Sequence, residues 1–112
     1  MEETYENYTP HPITVFTEGG QIDFPSRGQC RVTEEQQLVG HHREIQLRTT
    51  TYGSIDGLPA PKEGVRYIVS LLVTQANKRM SVPRQDLVSP DTGKTCIRDE
   101  KGQIKGVTGF II

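Results

Sequence analysis

Apolar residues concentrate in one stretch, residues 64–80, reading GVRYIVSLLVTQANKRM. Tyr67, Ile68 and Val69 suit a pleated, half-buried surface and predict a strand. Ser70 follows as a residue type that caps helices. Leu72 and Ala76 are four apart, Leu72 and Val73 widen the stripe, and Gln75 and Lys78 point elsewhere, which predicts about two to three helical turns. Pro83 prevents a long continuation. One segment thus switches from period two to period 3.6 and predicts the centre of the core; a single strand running on through Thr74 is the alternative.

Elsewhere the pattern is short and punctuated. Thr9-Pro10-His11-Pro12 predicts extended backbone. Ile13 to Phe16 and Gln21 to Phe24 flank Glu18-Gly19-Gly20 and predict a hairpin. Pro25 to Gly28 predicts a turn, and Gln29 to Val32 a strand. Residues 33–38 are polar and predict one helical turn or a loop. Residues 40–51, with Ile45 and Leu47 at period two, predict a strand with one solvated or ligand-facing side. Residues 53–64 and 81–94 predict loops. Thr95 to Arg98 and Gln103 to Val107 flank Asp99-Glu100-Lys101-Gly102, whose Asp and Gly suit a tight turn. Phe110, Ile111 and Ile112 predict a terminus tied to the core or to a second subunit. The fold class expected is α+β, mainly β: an antiparallel sheet of hairpins with one short helix after the central strand. All 112 residues form a single small domain in this reading, with residues 1–8 as a mobile arm.

Composition adds limits. A chain of 112 residues with 33% hydrophobic content and no Trp has a small core, so a homo-oligomer that buries further apolar surface is expected. The formal charge of −1, from 13 basic and 14 acidic residues, offers no global attraction to DNA or an anionic membrane. No apolar run is long enough to span a bilayer. Glu2 and Glu3 with no apolar stretch after them argue against a secretory signal. Cys30 and Cys96 make neither a disulfide framework nor a zinc site and read as two free thiols of a reducing cytoplasm.

Candidate chemistry is sparse. His41 and His42 are adjacent on a strand and point to opposite faces, so they cannot share one metal ion. Neither cysteine follows a nucleophile elbow, and no H-E-x-x-H, G-x-S-x-G or P-loop pattern occurs. An enzyme is the less favoured class, and no cofactor or metal is expected. What remains is arginines among turns: Arg27 and Arg31, Arg48, and Arg98 beside Asp99. Guanidinium forks suit phosphate oxygens, and a carboxylate can accept from ribose hydroxyls. Tyr67 suits stacking on a base and Asn77 suits reading its edge. Surface salt bridging and cross-strand charge pairing explain most such neighbours in any sequence and are the favoured reading from composition alone. The residues alone stop at a small, β-rich, oligomeric binding module.

An ordered set of motifs carries a resemblance across nearly the whole chain: Thr9-Pro10-His11-Pro12, Pro25-Ser26-x-Gly28-x-x-Arg31-Val32, Gly57-Leu58-Pro59-x-Pro61, Gly64-x-x-Tyr67-Ile68-Val69-Ser70, Pro90-Asp91-Thr92-Gly93 and Ile97-Arg98-Asp99-Glu100-x-Gly102-x-Ile104-x-Gly106-Val107. In this order they resemble a family of small phage and prophage proteins, some of which look like the phage anti-Thoeris sponges. Those proteins sequester a cyclic ADP-ribose isomer made by bacterial TIR-domain immune enzymes. They are multimeric and non-catalytic, and some bind cyclic oligonucleotides at separate sites. The resemblance implies base contacts at Tyr67 and Asn77, a polar clamp at Arg98 and Asp99, and a further contact at Arg48. It also implies a second, cyclic-oligonucleotide site at Arg27 and Arg31. The function implied is phage-encoded anti-defence: binding of a cyclic nucleotide immune signal without cleavage, by a homo-oligomer (a dimer or a trimer of dimers) in the cytoplasm of the infected bacterium. A non-enzymatic phage structural or assembly accessory protein is the alternative.

Overall fold

The structure is a computed structural model that describes residues 4–112. Ten strands and one helix follow in the order β1 (Thr4–Asn7), β2 (Ile13–Thr17), β3 (Gly20–Phe24), β4 (Arg31–His42), β5 (Ile45–Asp56), β6 (Val65–Ile68), α1 (Leu71–Lys78), β7 (Leu87–Pro90), β8 (Ile97–Arg98), β9 (Ile104–Gly106) and β10 (Phe110–Ile111). The fold is α+β and mainly β, built of antiparallel hairpins with one short helix after the central strand. The hairpins are β2–β3, β4–β5 and β8–β9. At the centre lies a four-stranded sheet in the order β1-β6-β7-β10, in which β1, β6 and β7 run parallel and β10 is antiparallel.

β6 forms because Tyr67 and Ile68, with Val69 just beyond, fill a site closed on every side; all three are 0% exposed. β1 pairs along one edge and β7 along the other. The helix turns Val73 and Ala76 into the core, and Leu87 and Val88 of β7 meet them. Each of the valines and Leu87 contributes roughly 1.5–3 kcal/mol on burial, and Ala76 less. Thr74 and Ser89 are also buried, but their hydroxyls bond each other at 3.0 Å, and Thr74 donates onward to the Leu71 carbonyl. Tyr5, Phe24 and Phe110 form a separate ring cluster, with centroids 5.1–6.1 Å apart, that fastens β1, β3 and β10 together.

A buried asparagine organises the chain after β1. Asn7 is 1% exposed; its Nδ2 donates to the His11 and Phe24 carbonyls, at 2.8 and 3.0 Å. Its Oδ1 accepts from the Thr9 N–H at 2.9 Å and the Thr9 hydroxyl at 2.6 Å. The Thr9–His11 segment, which bends where the sequence predicts extended backbone, is thereby held beside the β2–β3 hairpin.

Several expectations are corrected. The mobile arm is not one over residues 4–8: β1 pairs with β6, and Tyr8 packs edge-on against Tyr67 at 5.5 Å. The remainder of that arm lies outside the described residues. Residues 33–38 are neither helix nor loop but the middle of β4. Residues 40–51 are not one strand: the chain reverses at Arg43-Glu44, both with positive φ (50° and 70°), and β5 extends on to Asp56. Residues 81–94 contain β7, whose burial makes it a core strand. Ser70 stands at the N-cap of α1, yet its side chain makes no capping bond.

Two stability predictions follow from these positions. Asn7→Ala takes this partner from the Phe24 carbonyl and the Thr9 N–H and one of two donors from the His11 carbonyl, so it should cost about 3 kcal/mol; a urea midpoint within about 0.5 kcal/mol of the wild type would remove Asn7 from this role. Two-residue hairpin loops want positive φ at both positions, which Asn-Gly supplies with least strain. Arg43→Asn with Glu44→Gly should therefore raise the melting temperature, by about 1 kcal/mol of stability; an unchanged or lower value contradicts the turn geometry.

Candidate functional site

The three parallel strands end on the same side of the sheet, and a cavity of about 400 Å³ lies there. Thr9, Ser70 and Thr92, each two residues beyond the end of its strand, line it. In open α/β arrangements ligands take this crevice, outside the carboxyl ends of parallel strands. The N-terminus of α1 opens into the same space through Ser70 and Leu71. Without a side-chain cap, the first N–H groups of that helix have no intrahelical acceptor and lend this end of the helix a partial positive charge. Lys105 and His11 add cationic or donor groups, while Ile13, Ile104 and Val107 supply an apolar wall; among the described residues no Asp or Glu lines the cavity.

The far wall is held by close backbone contact. Val107 N–H donates to the Thr14 carbonyl at 2.9 Å, and Phe16 N–H donates to the Val107 carbonyl at 2.8 Å. Gly106 permits this approach, since a Cβ there would stand 2.8 Å from the Thr14 carbonyl oxygen and clash with the edge of the Phe16 ring. The Lys105 ammonium rests over that ring, 5.9 Å from its centroid.

A second cavity, of about 480 Å³, lies at the other end of α1, lined by Arg66, Asn77, Lys78 and Arg84 among others. Its chemistry is largely spent within the fold. Arg84 Nε and Nη2 fork onto the two Asp86 carboxylate oxygens at 3.0 and 2.7 Å, Nη1 donates to the Pro59 carbonyl, and the guanidinium lies 5.5 Å from the Tyr67 ring centroid. The hydrogen bonds to Asp86 raise the Arg84 pKa further above its usual value. Asn77 both donates to and accepts from the Arg84 backbone, at 2.8 and 2.9 Å. We therefore place the candidate site at the N-terminal end of the helix.

The residues expected to bind ligand are not brought together. Tyr67 is 0% exposed and its hydroxyl donates to the Ala60 carbonyl at 3.3 Å, so its ring offers no face to a base. Asn77 borders the second cavity, but its amide is the brace just described. Arg98 is exposed and donates to the Gly102 carbonyl at 2.8 Å. The Asp99 carboxylate accepts the N–H groups of Lys101 and Gln103, which makes it the builder of the β8–β9 turn. That hairpin borders the first cavity through residues 104–106, not through Arg98 or Asp99. Arg48 lies on β5 and donates along the strand to Gln46. Arg27 stands 3.9 Å from Glu6, and Arg31 donates to Gln29 at 2.9 Å.

Sequence reasoning passed over Lys105 and Thr92, and took Ser70 only as a cap. The signal available was the second apolar run, Leu87-Val88-Ser89. Read as a strand, it converts strand–Ser70–helix into a β-α-β unit with a crevice above Ser70.

No known protein family, no curated protein and no solved structure matches this chain.

Cys30 is buried in the core cluster and Cys96 is half-buried; both are free. Burial pushes the Cys30 thiol up to about 11 from the usual 9.0, with Asp56 adding to the rise and Arg84 opposing it. The folded form therefore keeps a proton that the unfolded chain loses above about pH 9, so this thiol's contribution to stability is full below pH 9 and declines as pH rises toward 11. Urea midpoints should fall more steeply over that window in the wild type than in Cys30→Ala. At pH 8 iodoacetamide should modify Cys96 well before Cys30; equal rates would contradict the burial.

Proposed function

We propose that this chain is a phage-encoded anti-defence protein that binds and sequesters a cyclic nucleotide immune signal without cleaving it. The ligand is a cyclic ADP-ribose isomer or a cyclic oligonucleotide, taken up in the cytoplasm of the infected bacterium. The observation that carries the reading is the crevice above α1: an uncapped helix N-terminus, Lys105 and His11 line a cavity of nucleotide-binding size with no carboxylate among its described lining residues. A phosphate would sit against the helix N–H groups and Ser70, with Lys105 as counter-charge, and a base would lie on the Ile13, Ile104 and Val107 wall. The resemblance adds Arg98 and Asp99, on the hairpin that forms this wall, as a clamp outside the crevice. It assigns Arg27 and Arg31 to a separate surface for a second ligand. Sequestration needs affinity and stoichiometry only; a dissociation constant near 1 μM corresponds to about −8 kcal/mol.

A second reading, a phage structural or assembly accessory protein, is favoured by one observation: Leu38, Val39, Ile45 and Leu47 stand exposed on the β4–β5 ribbon.

Thermal unfolding against a panel of cyclic ADP-ribose isomers and cyclic di- and trinucleotides separates these readings. The expected result is a rise in melting temperature that corresponds to about 2.7 kcal/mol at a hundredfold excess over the dissociation constant, with intact ligand recovered on heating. Lys105→Glu should abolish the shift and leave the unliganded melting temperature nearly unchanged, while Arg98→Ala should weaken it. Recovery of altered ligand would indicate turnover. No shift across the panel would defeat the nucleotide reading and leave the assembly protein.

A further inference from the structure

The β4–β5 ribbon is the most extended part of a molecule measuring 55 × 39 × 20 Å. Its twelve-residue strands are each about 40 Å long. Among the described residues it meets the body toward its base: Val32 and Ile55 pack on the core cluster, the Arg79 guanidinium lies 5.1 Å from the Tyr52 ring centroid, and Thr50 to Tyr52 share a small cleft with Ala76 and Met80. Further out, residues 34–39 and 45–49 are exposed. A two-stranded ribbon by itself is marginal in water.

Its two edges differ. The outer edge of β4 carries Glu34 and Glu35 and is broken by a bulge between Leu38 and Gly40, features that block pairing with another strand. The segment of β5 from Ile45 to Tyr52 has no bulge residue of its own. It reads Ile-Gln-Leu-Arg-Thr-Thr-Thr-Tyr, with no glycine, proline or acid and a single charge at Arg48. Among the described residues no strand pairs with its outer edge. That combination is what an edge strand needs to accept a partner.

We propose that this edge joins two copies of the chain: β5 pairs antiparallel with β5 of a second copy, forming a continuous β4-β5-β5-β4 sheet. The pairing is independent of the nucleotide reading. A second copy is the occupant because the strand is its own complement. A two-fold axis normal to the sheet keeps the same face upward on both copies, so a residue must lie on the axis. The registers that overlap the strand best centre on Arg48 or Thr49. Centring on Arg48 sets two guanidiniums face to face, which repel. Centring on Thr49 seats Thr49 on Thr49, Arg48 on Thr50, Leu47 on Thr51 and Gln46 on Tyr52. Threonine pairs are among the favourable cross-strand contacts. The single charge thus selects the register.

Sedimentation equilibrium of the full chain, over a concentration series, should give twice the 12.6 kDa chain mass. Thr49→Lys sets two ammonium groups on the axis and should return a 12.6 kDa particle with an unchanged circular-dichroism spectrum. Independently, Thr49→Cys should be captured as a dimer by a short bismaleimide above the wild-type background, whereas Thr51→Cys, which faces Leu47, should not. A wild-type chain that stays monomeric at about 100 μM, where even weak specific pairs associate, would overturn the proposal. So would a dimer that survives Thr49→Lys and in which Thr49→Cys is not captured.

Discussion

The enclosure of β6 is the constraint on which the rest of the structure depends. Its backbone is paired on both edges, by β1 and β7, and its side chains are covered on both faces. Such a strand has no use for alternation and reads as a continuous apolar run, Tyr67-Ile68-Val69. Parallel pairing to β1 and β7 then brings three strand ends to one side, and the helix that follows β6 must start on that side. The crevice is therefore a consequence of the topology, formed before any ligand chemistry is considered.

Buried polar groups determine how the connections leave that sheet. Asn7 fixes the exit from β1, and Asn77 with Arg84 fixes the entry to β7. In both cases an amide acts as a donor–acceptor pair for irregular backbone that has no ladder of its own. An unpaired group at either place would cost as much as two or three hydrogen bonds contribute, so neither amide is spare for a ligand. This is why Asn77, attractive from its residue type, belongs with Arg84 to the scaffold, while the less conspicuous Ser70 and His11 line the open crevice.

The sequence made the local parts of this fold legible and hid the non-local ones. The Tyr67 strand, the helix after Ser70, the β2–β3 hairpin and the Asp99–Gly102 turn each depend on neighbours in the chain, and each was visible. β7 was obscured because only Leu87-Val88-Ser89 is buried and Arg84 to Asp86 and Pro90 flank it like loop residues. β4 was obscured because a ribbon with two wet faces has no apolar period, so Thr33-Glu34-Glu35-Gln36-Gln37 looks like a polar loop. β1 was missed since its partner lies some sixty residues away. The expected site failed for a related reason: Tyr67 and Asn77 were weighed by what their side chains can bind, while burial was already using them.

The walls of the crevice are braced by contacts that do not involve a ligand. Two are strand ends locked into the central sheet, one is the first turn of α1, and one is β9, pressed onto β2 by the missing Cβ of Gly106. A protein that works by holding a molecule, not by changing it, gains from such walls, because little ordering remains to be done when the ligand enters. An enzyme that must close, react and release draws instead on loops of low local stability. The longest hairpin of this chain contributes little to the core. The fold extends that hairpin away from the crevice, so the two proposals rest on separate surfaces, and a change at the ribbon edge would test one without touching the residues that line the other.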